Sequence, residues 1–567
     1  MSGLAIMFIS IAVLLLAYIL YGRWIAKKWG IDPKRKTPAY EMRDGVDYEP
    51  APKGVVFGHQ FASIAGAGPI NGPIQAAIFG WVPVLLWILI GGVFFGAVQD
   101  FASMFASVRN KGRSIGYIIE VYIGKVGKKL FLLFCWLFCI LVVAAFADIV
   151  AGTFQGWTVT DGVKSDNITA NGAVATTSMM FIVFAVMLGM LLRFSKLPTW
   201  VNTVIAIVML VLSIIIGLYF PMFMSLETWH ILVFVYILIA SVAPVWALLQ
   251  PRDYLNSYLL VAMILAAVVG VFVAQPDVNI PAFTGFVVDG QYLFPILFVT
   301  IACGAVSGFH SLVSSGTASK QIKNERDMLP VSFGSMLLES MLAVIALIAV
   351  ASFATGEAQA QGLNTPAQVF AGAVSSFLSS IGLPTDIVYT LITLSISAFA
   401  LTSLDSVARV GRLSFQELFL DSSIKDEDMG TVRKVLTNKY FATIITLVLA
   451  YLLTMVGYKN IWALFGASNQ LLSVFAFLAC AVFLKRAKKV RWFMYAPLFV
   501  MLLVTFTALG STIYTKASAL ITSASADYFG DVLQLAFATL IIGLGVCVVI
   551  AGFKKLFSKE SKIVEIE

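Results

Sequence analysis

Six ionisable side chains stand inside long apolar runs, where charge is expensive: Asp100, Asp148, Glu339, Asp405, His59 and His310. Charge at membrane depth is retained chiefly where substrates or ions pass, so each is a functional candidate. A buried carboxylate beside a histidine is the pairing of a proton carrier. At about 1.5 Å of rise per residue, His59 lies about 8 Å and His310 about 9 Å from the inner edges of their runs. Asp100 comes out at about 10 Å and Glu339 at about 12 Å by the same measure. Four groups from four runs therefore share one inner layer. They read either as a proton relay with substrate contacts or as the hydrogen-bonded lining of a wet vestibule.

The run that carries His310 also holds Ser307, Ser311, Ser314, Ser315 and Thr317 around Gly304 and Gly308. Small residues at this density suit close helix packing, and their oxygens equally suit Na⁺ or a substrate carboxylate. Asp405 has Arg409 one helical turn on, which reads as a salt bridge. Asp253 beside Arg252 reads likewise as a pair at a cytoplasmic helix end. Cys135 and Cys139, four apart with no further ligand nearby, read as small buried hydrophobes. All five Cys lie in apolar runs, and no disulfide framework is implied.

The elements that must position these groups are membrane helices. The chain has 567 residues, of which 60% are apolar and 12% charged, with a mean hydropathy of +0.92. Soluble proteins carry about twice that charge. A cytosolic enzyme, a nucleic-acid-binding protein and a disulfide-rich secreted module are all excluded. Apolar runs fall near 4–22, 54–79, 82–107, 130–154, 177–193, 199–220, 229–250, 257–274, 292–316, 331–354, 385–404, 439–456, 467–484, 493–513 and 528–552. These predict about fifteen spans of an all-α polytopic membrane protein. The first run reads as an anchor helix, being too long and lacking the basic start of a signal peptide. With the N-terminus outside and the C-terminus cytoplasmic, 35 of the 38 Lys and Arg fall in cytoplasmic connections, leaving Lys164, Lys459 and Lys516 outside. That alternation follows the positive-inside rule and explains the pI near 9.1 without any nucleic-acid surface. Two short pieces, Ala367–Ser380 and Asn460–Ala467, read as interfacial or re-entrant.

Two runs are interrupted. Gly66-Ala67-Gly68-Pro69-Ile70-Asn71-Gly72-Pro73 puts three Gly and two Pro in eight residues at mid-run. A proline removes a donor and clashes with the carbonyl four residues back, so no continuous helix is expected there. Ser241-Val242-Ala243-Pro244-Val245-Trp246 interrupts a later run at similar depth. Both clusters also suit simple packing kinks. Five spans of offset make the two helices antiparallel, the arrangement of a five-plus-five inverted repeat with its site at the broken helices. Half-helix N-termini there favour an anionic group, and freed carbonyls a cation.

Phe57-Gly58-His59-Gln60-Phe61-Ala62-Ser63-Ile64-Ala65-Gly66-Ala67-Gly68-Pro69-Ile70 and Gly96-Ala97-Val98-Gln99-Asp100-Phe101 resemble the carbon starvation protein A (CstA) family. So do Gln250-Pro251-Arg252-Asp253-Tyr254-Leu255 and Ala302-Cys303-Gly304-Ala305-Val306-Ser307-Gly308-Phe309-His310. The resemblance runs from about residue 1 to 500. It implies a secondary transporter of the bacterial inner membrane that takes up peptides, or pyruvate in some members, when carbon is scarce. It also implies a LeuT-type core of the amino acid–polyamine–organocation superfamily. Many members read Gly-His-His where this chain has Gly58-His59-Gln60, which weakens any paired-histidine metal site. Relatives also carry a longer C-terminal part than this chain.

The expectation is a cation-coupled symporter for a small carboxylate-bearing nutrient, peptide or pyruvate, driven by H⁺ or Na⁺ and needing no cofactor or metal. The expected divisions are 1–53 (anchor and basic loop), 54–223 and 224–412 (the two repeats) and 413–567 (accessory helices). Substrate contacts are expected from His59, Gln60, Gly66, Gly68, Pro69, Asn71, Pro244, Trp246, His310 and Ser311. Coupling is expected from Asp100, His59, His310, Ser314, Ser315 and Glu339. The alternative is a passive channel or facilitator for small organic anions. An intramembrane enzyme is disfavoured, since HExxH is absent.

Overall fold

The computed structural model describes residues 2–44, 48–157, 159–160, 163–164, 168–194, 198–243, 248–363, 365–419, 430–522 and 527–558. The chain is mostly helical. In order, α1 (Gly3–Trp29) is followed by the short helices α2 (Lys53–Ile64) and α3 (Gly68–Ala76). Then come α4 (Trp81–Arg109), α5 (Lys125–Phe154), α6 (Thr169–Leu191), α7 (Trp200–Tyr219), α8 (Leu226–Val242) and α9 (Leu249–Ala274). Three short helices follow: α10 (Leu293–Thr300), α11 (Ala302–Ala305) and α12 (Gly308–Gly316). Beyond them lie α13 (Glu325–Ala351), α14 (Pro366–Ser379) and α15 (Thr385–Phe419). The rest are α16 (Lys439–Thr454), α17 (Tyr458–Arg486), α18 (Trp492–Ile521) and α19 (Tyr528–Phe557).

Ten of these helices (α1, α4 to α7, α13, α15 and α17 to α19) are long and apolar enough to cross a membrane. The other apolar runs fall on the shorter α8 and α16, on the apolar part Tyr258–Ala274 of α9, or on the interrupted sets α2–α3 and α10–α12. One expectation is overturned. Asn460–Ala467 is no separate interfacial piece but the first turns of the continuous α17, whose apolar stretch is buried throughout. The other short piece is the helix α14, started by a capping box. Thr365 accepts from the Gln368 N–H and the Gln368 side chain accepts from the Thr365 N–H, with Pro366 at the first turn.

The chain divides into two compact units built from separated segments. The first contains Met1–Leu4, Cys139–Ile280 and Ile348–Tyr458. Its hub is α15, which packs on α6, α8, α9, α14 and α16. The second contains Ala5–Phe138, Pro281–Leu347 and Lys459–Glu567. There α3 packs on α10 and α11, while α12 packs on α2 and α4.

The breaks have distinct causes. Between α2 and α3, Ala65 leaves helical geometry at φ −76°, ψ 66°. Pro69, at the first turn of α3, cannot donate and clashes with the carbonyl of residue 65, so α2 ends there. Pro73 stays inside α3, and the interruption is confined to 65–67. In the later run, α8 ends at Val242 and α9 begins at Leu249; Pro244 and Trp246 lie outside the described residues. A further break falls within the run 292–316, where the sequence predicts one span. Ile301 interrupts α10 from α11, and Val306 and Ser307 are fully extended before α12. No proline lies within it, and the backbone of α17 passes against its end at Gly308. A side chain at Gly308 would meet Asn469 O and Ser473 N at 2.4 Å, so only glycine starts α12 at this crossing.

Candidate functional site

Three of the four groups expected in the inner layer meet in the second unit. His310 on α12 is held between two carboxylates. Its Nδ1 lies 3.2 Å from Asp100 Oδ2 on α4, and its Nε2 lies 3.3 Å from Glu339 Oε2 on α13. The first contact is a hydrogen bond; the second is an approach without hydrogen-bond alignment. All three side chains are fully buried. Asp100 Oδ1 and Glu339 Oε1 have no hydrogen-bond partner. Such atoms are costly to bury, and they keep acceptor capacity free for a proton or a donor.

The fourth group stays apart. His59 is half-buried on α2, its Nε2 has no partner, and it makes no ion pair with the other three. The next residue, Gln60, reaches α12 instead, donating from Nε2 to Ser314 Oγ at 2.8 Å. The other hydroxyls are engaged locally. Ser311 donates to Gly308 O and Ser315 to Ser311 O, both at 2.6 Å, and Ser315 also accepts from the Ile115 N–H.

Gly66, Gly68, Pro69 and Asn71 are all buried at the first break. A methyl group at Gly68 would sit 2.4 Å from Cys303 Sγ on α11, and one at Gly72 would sit 2.7 Å from Thr300 O on α10. The two broken helices therefore touch through glycine. Asn71 is buried with both amide atoms unpartnered, and Gln75 Nε2, one turn on, is also unpartnered.

Two functional-looking groups escaped the sequence reading because nothing in their spacing marks them. Gln99 Nε2 donates to Ser307 O at 2.6 Å, at the second break. Asn469 Oδ1 accepts from the Phe309 N–H at 3.1 Å, and its Nδ2 donates to Ser307 Oγ at 3.0 Å.

The first unit holds two further polar centres. Asp405 pairs with Arg252, not Arg409, and also accepts from the Tyr236 hydroxyl at 2.7 Å. Arg409 instead donates to Ala240 O and Ala243 O at 2.8 and 3.0 Å, covering the C-terminal carbonyls of α8. This corrects one expectation, since local i,i+4 spacing lost to a long-range partner; Arg252, in the first turn of α9, is buried. Toward the other ends of the helices, Asp148 on α5 accepts from the Tyr458 N–H at 2.7 Å and contacts His230 Nε2 on α8 at 2.8 Å.

Comparison with known proteins gives these residues a setting. Residues 2–361 and 352–508 match the family described as carbon starvation protein CstA. The chain is similar to the Peptide transporter CstA of Escherichia coli (strain K12), 33% identical over 605 residues that cover 89% of this chain and 80% of that one. The Peptide transporter CstA of Bacillus subtilis (strain 168) is 33% identical over 557 residues, covering 87% of each. The Pyruvate/proton symporter BtsT of Escherichia coli (strain K12) is 39% identical over 382 residues, covering 64% of this chain and 51% of that one. Among solved structures, a mutant of the Eremococcus coleocola manganese transporter has a TM-score of 0.46 at 11% identity, covering 88% of this chain and 94% of that one. A likeness that weak carries no weight for the fold. The sequence matches do carry weight, and on them this chain belongs to the carbon starvation protein CstA family.

Proposed function

We propose that this chain is a secondary active transporter that imports a small carboxylate-bearing nutrient, peptide or pyruvate, by symport with H⁺. The supporting observation is the buried cluster Asp100–His310–Glu339, in a family whose relatives carry the names peptide transporter and pyruvate/proton symporter. With His310 protonated and both carboxylates ionised, the cluster carries one net negative charge. One further proton makes it neutral, and a neutral cluster is the cheaper one to seal away from water. A group whose charge alternates with access is what couples a proton to transport.

In this reading the interruptions at 65–67 and 301–307 flank the cargo. Gln60, Gly66, Gly68, Pro69, Asn71 and Ser311 serve it, and His59 lies on the cytoplasmic approach with Ser314 and Ser315 nearby. Pro244 and Trp246 remain candidates on sequence grounds. The chain lies in the bacterial inner membrane with its N-terminus outside, and two inverted five-helix repeats, 54–223 and 224–412, form its core. No enzymatic step is part of this reading.

The test is uptake into proteoliposomes of labelled pyruvate and labelled dialanine, with H⁺ and Na⁺ gradients imposed separately. Accumulation driven by the H⁺ gradient is expected. Accumulation driven by Na⁺ alone would move the coupling ion; equilibration without accumulation or trans-acceleration would leave a passive facilitator.

A further inference from the structure

Ser307 opens α12 without capping it by its own side chain. The Phe309 N–H, one of the donors a helix start leaves unsatisfied, is taken by Asn469 Oδ1 of α17 at 3.1 Å. The cap of α12 is thus supplied by another helix. The same Asn469 grips the Ser307 hydroxyl at 3.0 Å and approaches Cys303 Sγ at 3.7 Å. Gln99, on α4, holds the Ser307 carbonyl at 2.6 Å. A carbonyl only accepts, so the amide nitrogen must face it, and Gln99 Oε1 is left buried without a partner. The extended link Val306–Ser307 is therefore gripped by two carboxamides from two helices.

Gln99 and Asp100 are neighbours on α4, while their partners Ser307 and His310 are one turn apart on α12. We infer that Gln99 and Asn469 clamp the link Val306–Ser307, and that Gln99 is a positioning residue tying that link to the charge state of Asp100–His310–Glu339. The inference rests on the symport reading above. Loss of the proton that His310 shares with the carboxylates weakens the Asp100–His310 contact. Any slide of α4 along α12 that follows is transmitted through Gln99 to the start of α12, where an extended link bends more cheaply than a helix. The Asn469 cap holds the opposite flank of the link to α17 meanwhile.

Several other charged groups of the second unit are engaged elsewhere. Arg109 pairs with Glu325, Glu120 with Lys128, and Lys320 lies over the Tyr48 ring. Cys303 accepts from Asn469, and His59 on α2 makes no contact with the cluster.

The experiment compares proton-driven net uptake with counterflow exchange in proteoliposomes of the full chain, using labelled dialanine and labelled pyruvate as probes. Exchange can run with the proton bound throughout; net accumulation requires its release. For Gln99→Leu the expected result is net uptake reduced about tenfold or more with exchange held within about twofold, a coupling free energy of ordinary size. The isosteric Gln99→Glu gives a second reading should Gln99→Leu fail to fold. Asn469→Asp, which keeps the acceptor for Phe309, is expected to retain more uptake than Asn469→Leu. If net uptake and exchange fall in parallel in both Gln99 variants, Gln99 is only structural and the inference is overturned; unchanged uptake overturns it equally. If the wild-type protein accumulates neither probe under an H⁺ gradient, the symport reading itself has failed.

Discussion

His310 Nδ1 lies 3.2 Å from Asp100 Oδ2 across 210 positions of sequence, and Glu339 stands 3.3 Å from its other ring nitrogen. A histidine with a carboxylate at each nitrogen has no neutral arrangement that leaves both acids ionised. Its occupancy by protons is therefore tied to the charge of two other helices.

Asp100→Asn and Glu339→Gln keep shape and remove one charge each. Both are expected to lower proton-driven accumulation about tenfold or more while exchange persists. Uptake and counterflow in proteoliposomes check this, with gel filtration confirming folded protein. Wild-type accumulation by both variants would remove the two acids from coupling.

The Arg252–Asp405 pair is buried, with Tyr236 completing it. Removing one partner strands a charge, so Arg252→Met is expected to cost about 3–5 kcal/mol. The double variant Arg252→Met with Asp405→Leu is expected to recover most of that loss. Thermal unfolding in detergent reads both, and a double variant no better than the single would show that the pair is not the source.

Gly68 and Gly72 face different obstacles. Gly68→Ala meets the Cys303 side chain at 2.4 Å, so adding Cys303→Gly is expected to relieve it. Gly72→Ala meets the Thr300 carbonyl at 2.7 Å, and no side-chain change removes backbone. Overpacking of this kind costs about 1–3 kcal/mol. Expression level and thermal unfolding of the three variants should show rescue at position 68 alone.

Asp148 serves two donors, the Tyr458 N–H and the His230 ring. Asp148→Ala removes that acceptor from both and is expected to cost about 1–3 kcal/mol per stranded group. Asp148→Asn keeps one acceptor oxygen and should cost less. Equal unfolding temperatures for the two variants would argue that the contacts contribute nothing.

Legibility followed distance along the chain. The break at 65–67 was readable because Pro69 acts on a carbonyl four residues away. The break at 306–307 was not, because no proline marks it and its contacts come from α17, more than 160 residues later. Asp405 was matched to Arg409 by helical spacing, yet its partner is Arg252 from another helix. Asn460–Ala467 reads as an interfacial or re-entrant piece by itself, yet it continues into the next apolar run as one helix, Tyr458–Arg486. Gln99 lies in a motif of the family resemblance and Asn469 in none, and neither spacing points to Ser307, which both touch only in the fold.

Sequence alone establishes a membrane protein, where its apolar runs lie, how its basic residues are distributed and which few acids and histidines fall in or at the ends of those runs. Those properties follow from hydrophobic length and the cost of charge, which act locally. Only the tertiary structure decided which of these groups meet: Asp100, Glu339 and His310 together, His59 apart, and Asp405 with Arg252. Hydrogen bonds and ion pairs act over about 3 Å, and no spacing along a chain encodes which distant helices will bring two atoms that close.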